Sequence, residues 1–217
     1  MNIGVLGTGQ AGQALATRLV GLGHDVVMGS RDAANQRAGE WAASAGPRAR
    51  AGTFADAAAH GEIVINATAG GASLQALELA GAANLAGRVL VDVSNPLEFA
   101  GGSMRLTVAN TDCLAEQIQR AYPDARVVKA LNTMNNAVMV DPARLPGDHN
   151  VFIAGDDAAA RAVVRGMLAQ FGWTEPNIVD LGGLSAARGL EMYLPLWLAM
   201  MNSFGTSDFN IHIVRAP

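Results

Sequence analysis

The chain has 217 residues, half of them hydrophobic and 16% charged, enough for one full core and a modest annexe but not for two large domains. A net charge of −4, with Lys129 the only lysine and no run of basic residues, excludes the electrostatic footprint of a nucleic-acid or anionic-membrane binder. Cys113 is the lone cysteine, so neither an internal disulfide nor a cysteine zinc cluster is available, and it reads as a small core filler.

Residues 2–6 form a short apolar run that reads as a buried parallel strand. It ends in Gly7-Thr8-Gly9-Gln10-Ala11-Gly12, and over residues 13–22 apolar side chains recur at helical spacing. Strand, GxGxxG turn and helix in this order point to dinucleotide binding. Gly7 allows the tight turn, Gly9 lets backbone approach a pyrophosphate, and Gly12 lets the helix pack closely. The unpaired N–H groups at the start of the helix face the phosphates.

A second strand at 24–28 is followed by Gly29-Ser30-Arg31, where an NAD site would usually offer an acidic ribose partner. A hydroxyl and a guanidinium suit the 2′-phosphate of NADP(H) instead, Asp32 being the alternative as a ribose acceptor. Residues 32–45 have helical character, with Ser30 or Asp32 as the candidate N-cap. A short extended piece at 48–51 precedes Thr53-Phe54-Ala55-Asp56, a capping-box pattern that opens a brief helix.

Residues 62–67 read as the next buried strand, ending in Thr68-Ala69-Gly70-Gly71, a turn expected to border the cofactor's ribose or nicotinamide. A helix at 73–85 and a strand at 87–93 follow. Ser94-Asn95-Pro96-Leu97 then forms a second expected wall. Residues 98–112, with Gly101-Gly102, suggest a loop of functional length or a lid. Thr111 or Asp112 is expected to cap a helix to Tyr122. The strand at 126–131 ends in Asn132-Thr133-Met134-Asn135-Asn136, a polar cluster at the strand tips.

Beyond Asp141-Pro142 come a strand at 150–154, a helix at 157–171, a strand at 177–181 and the break Gly182-Gly183. Residues 185–202, SAARGLEMYLPLWLAMMN, are apolar nearly all round, which predicts a buried helix of core or subunit interface, kinked or broken at Pro195. Trp197 or Met201 could line a pocket for a flat aromatic ligand. A last strand is expected at 209–214. No segment has the length and apolarity of a membrane span, and the first strand starts at Asn2, so a cytoplasmic location without membrane insertion is expected. His24, His60, His149 and His212 are scattered and suggest no catalytic role.

The expected fold is α/β: a Rossmann-type, doubly wound, mostly parallel sheet over residues 1–140 that binds NADP, with a small C-terminal α/β extension over 141–217 carrying an acceptor pocket and dimer contacts.

Taken together, the GTGxxG start, the GSR after the second strand, VVKALNTMNNAVMVDP, VFIAGDD and the late LEMYLPLWLAMM resemble the family of NADPH-dependent deazaflavin (coenzyme F-420) reductases. They also resemble the cytosolic oxidoreductase domain of the six-transmembrane ferric reductases. The resemblance implies hydride exchange between NADPH and a flavin-type ring in a homodimer. It places Thr8, Gly9, Gln10 and Ala11 on the pyrophosphate, Ser30 and Arg31 on the 2′-phosphate, and Thr68, Ala69, Asn95 and Asn136 at the ribose and nicotinamide end.

At residues 131–136 the chain reads LNTMNN where deazaflavin reductases read approximately LHTIPA, and the ferric-reductase domains, with an Asn there, are nearer. The implied acceptor is deazaflavin, FMN or FAD, with Asn132, Met134, Asn135 and Trp197 as candidates for its pocket. Two other readings are a reductase of a small carbonyl or imine, which needs a proton donor, and a non-catalytic NADP(H) sensor with a protein partner.

Overall fold

The computed structural model describes residues 1–100 and 103–216. In chain order these form β1 (Asn2–Leu6), α1 (Gln10–Gly21), β2 (Asp25–Ser30), α2 (Gln36–Ala45), β3 (Ala49–Thr53), α3 (Phe54–His60), β4 (Ile63–Asn66), α4 (Gly70–Ala80), α5 (Ala82–Leu85) and β5 (Val89–Asp92). The second half comprises β6 (Leu97–Ala100), β7 (Ser103–Leu106), α6 (Leu114–Ala121), β8 (Arg126–Ala130), α7 (Asn136–Val140), β9 (Val151–Ala154), α8 (Ala158–Phe171), β10 (Ile178–Asp180), α9 (Ala187–Met192) and α10 (Leu194–Phe204).

Eight strands make one sheet in the order β10-β9-β8-β5-β4-β1-β2-β3. The six from β8 to β3 are parallel; β9 pairs antiparallel with β8, and β10 runs parallel to β9. This is the Rossmann-type doubly wound sheet, with β9 and β10 of the C-terminal extension continuing it. One face buries Leu15, Leu19, Trp41, Val138 and Phe171. The other buries Phe54, Leu77, Leu85, Ile118 and Leu190. Covered on both faces, the central strands are mostly apolar, as parallel strands require, with Asn66, Asp92 and Lys129 as buried exceptions near their carboxyl ends. The order reverses between β1 and β4, so the chain leaves a crevice outside their carboxyl ends.

The capping box is present: Thr53 Oγ1 accepts from Asp56 N and the Asp56 carboxylate accepts from Thr53 N. Several expectations are corrected. The cap of α2 is Asn35, which accepts from Ala38 N, because Ser30 and Asp32 are used in the turn before it. The helix expected at 73–85 divides at Gly81, whose φ of 87° no helix accommodates. Neither Thr111 nor Asp112 caps α6; Asp112 is drawn to Arg120, and Glu191 takes the capping role from a distant helix.

Residues 98–100 and 103–106 of the expected loop at 98–112 belong instead to the hairpin β6–β7, in which Phe99 pairs with Met104. Gly101 and Gly102 of that expectation lie outside the described residues. The expected strand at 209–214 does not form. Ile211 O accepts from Asn150 N, but the Asn150 side chain accepts from Ile213 N, so a carboxamide replaces the next rung of a ladder. The long apolar helix is broken at Tyr193, and Pro195 sits in the first turn of α10, where its missing N–H costs nothing. Its first half, α9, is buried through Ala187 and Leu190, but α10 is not: only Leu194 there is fully covered, and Leu196 and Phe204 are 57% and 59% exposed.

Candidate active site

The crevice begins where β1 ends. Gly7 has φ 117°, and its N–H donates to Gly29 O at 3.0 Å, tying the turn to the end of β2. A β-carbon on Gly7 would stand 2.6 Å from Ala67 O, so the turn also fits closely against the end of β4. Gly12 is buried directly against the carbonyl of Gly7. Gly9 differs from both: a β-carbon there meets no protein atom within 4 Å. Its glycine is therefore not required by packing, and the space is left for something that approaches the backbone. No side chain caps α1, whose first N–H groups open beside it.

A cavity of about 410 Å³ runs from Gly7, Thr8 and Gly9 past Ser30, Arg31 and Asp32 to Thr68 and Ala69. Ser30 Oγ donates to Asp32 O at 2.5 Å and accepts from Asp32 N, so its single hydrogen is committed to the turn. Asp32 Oδ1 in turn accepts from Ala34 N at 2.9 Å. Arg31 is exposed and, among the described residues, makes no hydrogen bond or ion pair, which leaves its whole donor fork available to a phosphate. Asn35, Phe54, Gln75 and Leu79 complete the wall and were not singled out from the sequence.

A second cavity of about 390 Å³ shares Ala67, Thr68 and Ala69 with the first. Its other walls include Ala11, Ser94, Asn95, Asn132, Met134, Leu194 and Trp197, with Leu97 and Phe99 contributed by the hairpin. No described residue on these walls titrates, so no side chain there is placed to donate a proton. Leu131 adopts φ 64°, an uncommon conformation for leucine, and turns the chain after β8 back toward β5. Asn132 and Asn95 then bond reciprocally: Asn95 Nδ2 donates to Asn132 O and Asn132 Nδ2 to Asn95 Oδ1, both at 2.9 Å. Among the described residues, Asn132 Oδ1 and Trp197 Nε1 have no hydrogen-bond partner although both atoms are buried. Trp197 stacks on Phe209, ring centroids 5.4 Å apart.

The polar cluster after β8 is split. Asn132 and Met134 reach the second cavity with Trp197. Asn135 does not: its Oδ1 caps α7 through Ala137 N and Val138 N, and its Nδ2 donates to Ser207 O and Asp208 Oδ1. Asn136 lies with Gln10, Gln13 and Arg18 in a separate open cleft and lines neither cavity. Met201 lines a separate shallow pocket. The signals for what was missed were modest: Leu97–Ala100 and Ser103–Leu106 flank a Gly-Gly pair, a hairpin pattern.

Lys129 is fully buried and donates to Asp92 Oδ2 at 2.7 Å, Glu191 Oε1 at 2.8 Å and Ser94 O at 2.5 Å. Burial alone would depress its ammonium, but the two carboxylates overcome this and hold its pKa above the ordinary lysine value. All three donors are spent, so it offers no proton to the cavity. Burial pushes the Cys113 thiol up to about 12, which makes it inert.

A glycine turn that leaves room for a backbone-bound phosphate, an unpaired arginine one strand over, and an apolar chamber opening from the same strand tips define a Rossmann-type nucleotide-dependent oxidoreductase. Residues 2–96 match the family model described as "NADP oxidoreductase coenzyme F420-dependent". The crystal structure of a protein described as a "putative F420 dependent NADP-reductase", from Arthrobacter sp. FB24, superposes with a TM-score of 0.93 at 46% identity, over 99% of this chain and all of that one. The F420-dependent NADP reductase of Methanothermobacter marburgensis is 29% identical over the full length of both proteins. The metalloreductase STEAP3 of Rattus norvegicus is 33% identical over 90% of this chain, which spans only 37% of that protein's length. The chain belongs to the coenzyme F420-dependent NADP oxidoreductase family and is an NADP-dependent oxidoreductase. No helix among the described residues is long and apolar enough to cross a membrane.

Proposed function

We propose that the chain exchanges a hydride between NADP(H), held at Gly7, Thr8, Gly9 and Arg31, and a flavin-type or deazaflavin ring received between Leu97, Phe99, Asn132, Met134, Leu194 and Trp197. The observation that carries this reading is the meeting of the two cavities at Thr68 and Ala69. When bound, the reduced nicotinamide supplies the hydride and the acceptor ring takes it, so the protein is asked chiefly to position and to exclude water. Walls without an acid or base suit that task. They do not suit carbonyl or imine reduction, since Lys129, the one lysine, is turned inward and fully paired.

A deazaflavin acceptor is favoured by the Arthrobacter and Methanothermobacter relatives, whose names specify F420. FMN and FAD are the alternatives within the same chemistry. A homodimer fits the exposed apolar residues Leu196 and Phe204 of α10, and a reducing cytoplasm fits a single buried thiol. The test is NADPH oxidation by the purified protein against deazaflavin, FMN, FAD, ferric chelates, and a small ketone and imine. Turnover with a ring acceptor is expected. Turnover with only the ketone or imine, or tight NADPH binding with no turnover at all, overturns the reading.

A further inference from the structure

Three ionised groups lie out of water in the middle of this fold: Lys129 and Asp92 are fully buried and Glu191 is 1% exposed. A buried ion cluster of this kind is a poor way to gain stability, because packed apolar side chains would serve as well or better. The bonds it makes run in two directions, and each direction ends at a wall of the crevice.

Toward the nucleotide, Asp92 Oδ1 accepts from Ser94 Oγ at 2.6 Å, from Ser94 N at 3.2 Å and from Asn66 Nδ2 at 2.9 Å. Asn66 Oδ1 accepts from Thr68 Oγ1 at 2.7 Å. Thr68 lines both cavities and Ser94 the second. Toward the acceptor, Glu191 stands in α9. The carbonyl of its neighbour Leu190 accepts from Asn132 Nδ2 at 3.1 Å, and the chain continues through Tyr193 to Leu194 and Trp197 on the opposite wall. Glu191 Oε2 also accepts from Leu114 N, anchoring α9 to α6.

We infer that Asp92, Lys129 and Glu191 are positioning residues: Lys129 ties the Thr68–Ser94 side of the crevice to the α9–α10 side and so sets the spacing at which two rings meet. This rests on the proposed reading of the two cavities. A hydrophobic side chain at 129 could fill the volume but could not hold two elements at a fixed separation. Three directed bonds from one ammonium do so.

The experiment compares wild type with Lys129→Met and Glu191→Gln. In Glu191→Gln one uncharged oxygen must serve the three donors that the carboxylate accepts from, Leu114 N, Ala115 N and Lys129, so the tie to Lys129 is weakened with little change of volume, and this variant decides the matter if Lys129→Met does not fold. Three quantities are read: NADPH affinity by calorimetry, kcat and KM with a deazaflavin or FMN, and amide hydrogen exchange in the ligand-free protein. The expected result is a kcat lowered on the order of 10- to 100-fold with NADPH affinity kept within about threefold. Exchange should quicken at Thr68 and Ser94, whose amides bond to Asn66 and Asp92, and stay unchanged in β1. A folded variant with wild-type kcat overturns the positioning role alone. A wild type that binds NADPH but reduces no ring acceptor overturns the reading of the cavities, and the inference with it.

Discussion

Gly12 lies so close beneath Gly7 that a β-carbon at position 12 would penetrate the carbonyl oxygen of residue 7, whereas one at position 9 would touch nothing. Two glycines of one motif are thus required for different reasons. Gly12→Ala should lower unfolding free energy by about 1–3 kcal/mol, as overpacking against backbone does, and denaturant melts would register it. Gly9→Val should melt like wild type, since Gly9 is extended at φ −76° and ψ 179° and its side is open. It should nonetheless lose both NADPH and NADH in calorimetry, because the new methyls occupy the approach to the backbone. Unaltered affinity in Gly9→Val would mean the loop does not hold a dinucleotide.

Arg31 is exposed and has no hydrogen-bond or ion-pair partner among the described residues, so its removal should leave stability untouched. Arg31→Ala is expected to weaken NADPH by roughly 1.5–3 kcal/mol, on the order of 10- to 150-fold, through loss of charge-assisted bonds to the 2′-phosphate. NADH, which lacks that phosphate, should be nearly unaffected. Equal losses for the two nucleotides would refute a role for Arg31 in holding the 2′-phosphate.

Phe99 is 72% exposed yet stands on the wall of the second cavity with Trp197. An aromatic ring left this open gains on covering a planar ligand, by about 1–2 kcal/mol for partial burial. Phe99→Ala should therefore raise KM for a flavin-type acceptor on the order of tenfold while NADPH affinity stays at the wild-type value. Steady-state kinetics with each substrate varied in turn separates the two. An unchanged acceptor KM would place the ring elsewhere.

Asp112 receives both terminal nitrogens of Arg120, at 3.0 and 2.7 Å, and that bonding holds its carboxyl at about 2 rather than 3.8. A folded-state value depressed in this way contributes stability above the unfolded value and loses it as pH falls through the folded one. The difference in Tm between wild type and Asp112→Asn should therefore be steady at neutral pH and shrink between about pH 4 and pH 2. The pair is partly exposed, so the difference is small and should fall further in high salt. A difference independent of pH would mean the bond is not formed in solution.

What could be read from residues alone was what neighbours along the chain decide. The glycine turn, the strand before it, the Thr53–Asp56 capping box and the break just before Pro195 each follow from backbone geometry or a bond spanning a few residues. The doubly wound sheet followed as well, from buried strands alternating with amphipathic helices. The glycine turn proposed to hold the cofactor was visible for the same reason, and so was the position of Arg31, directly after a strand.

The acceptor side depended on pairings across the sheet. Glu191 caps a helix 77 residues earlier, Lys129 meets its carboxylates 37 and 62 positions away, and Phe99 comes to face the chamber because β6 hydrogen-bonds to β7. Asn132, expected at the acceptor, and Asn136, expected at the cofactor, are four residues apart. Asn132 lines the second cavity, whereas Asn136 opens α7 and lines a cleft with Gln10 and Gln13. Apolar composition predicted a buried α10 but carries no information on which surface covers it. Folding leaves Leu196 and Phe204 exposed because the sheet has already spent both faces on other helices.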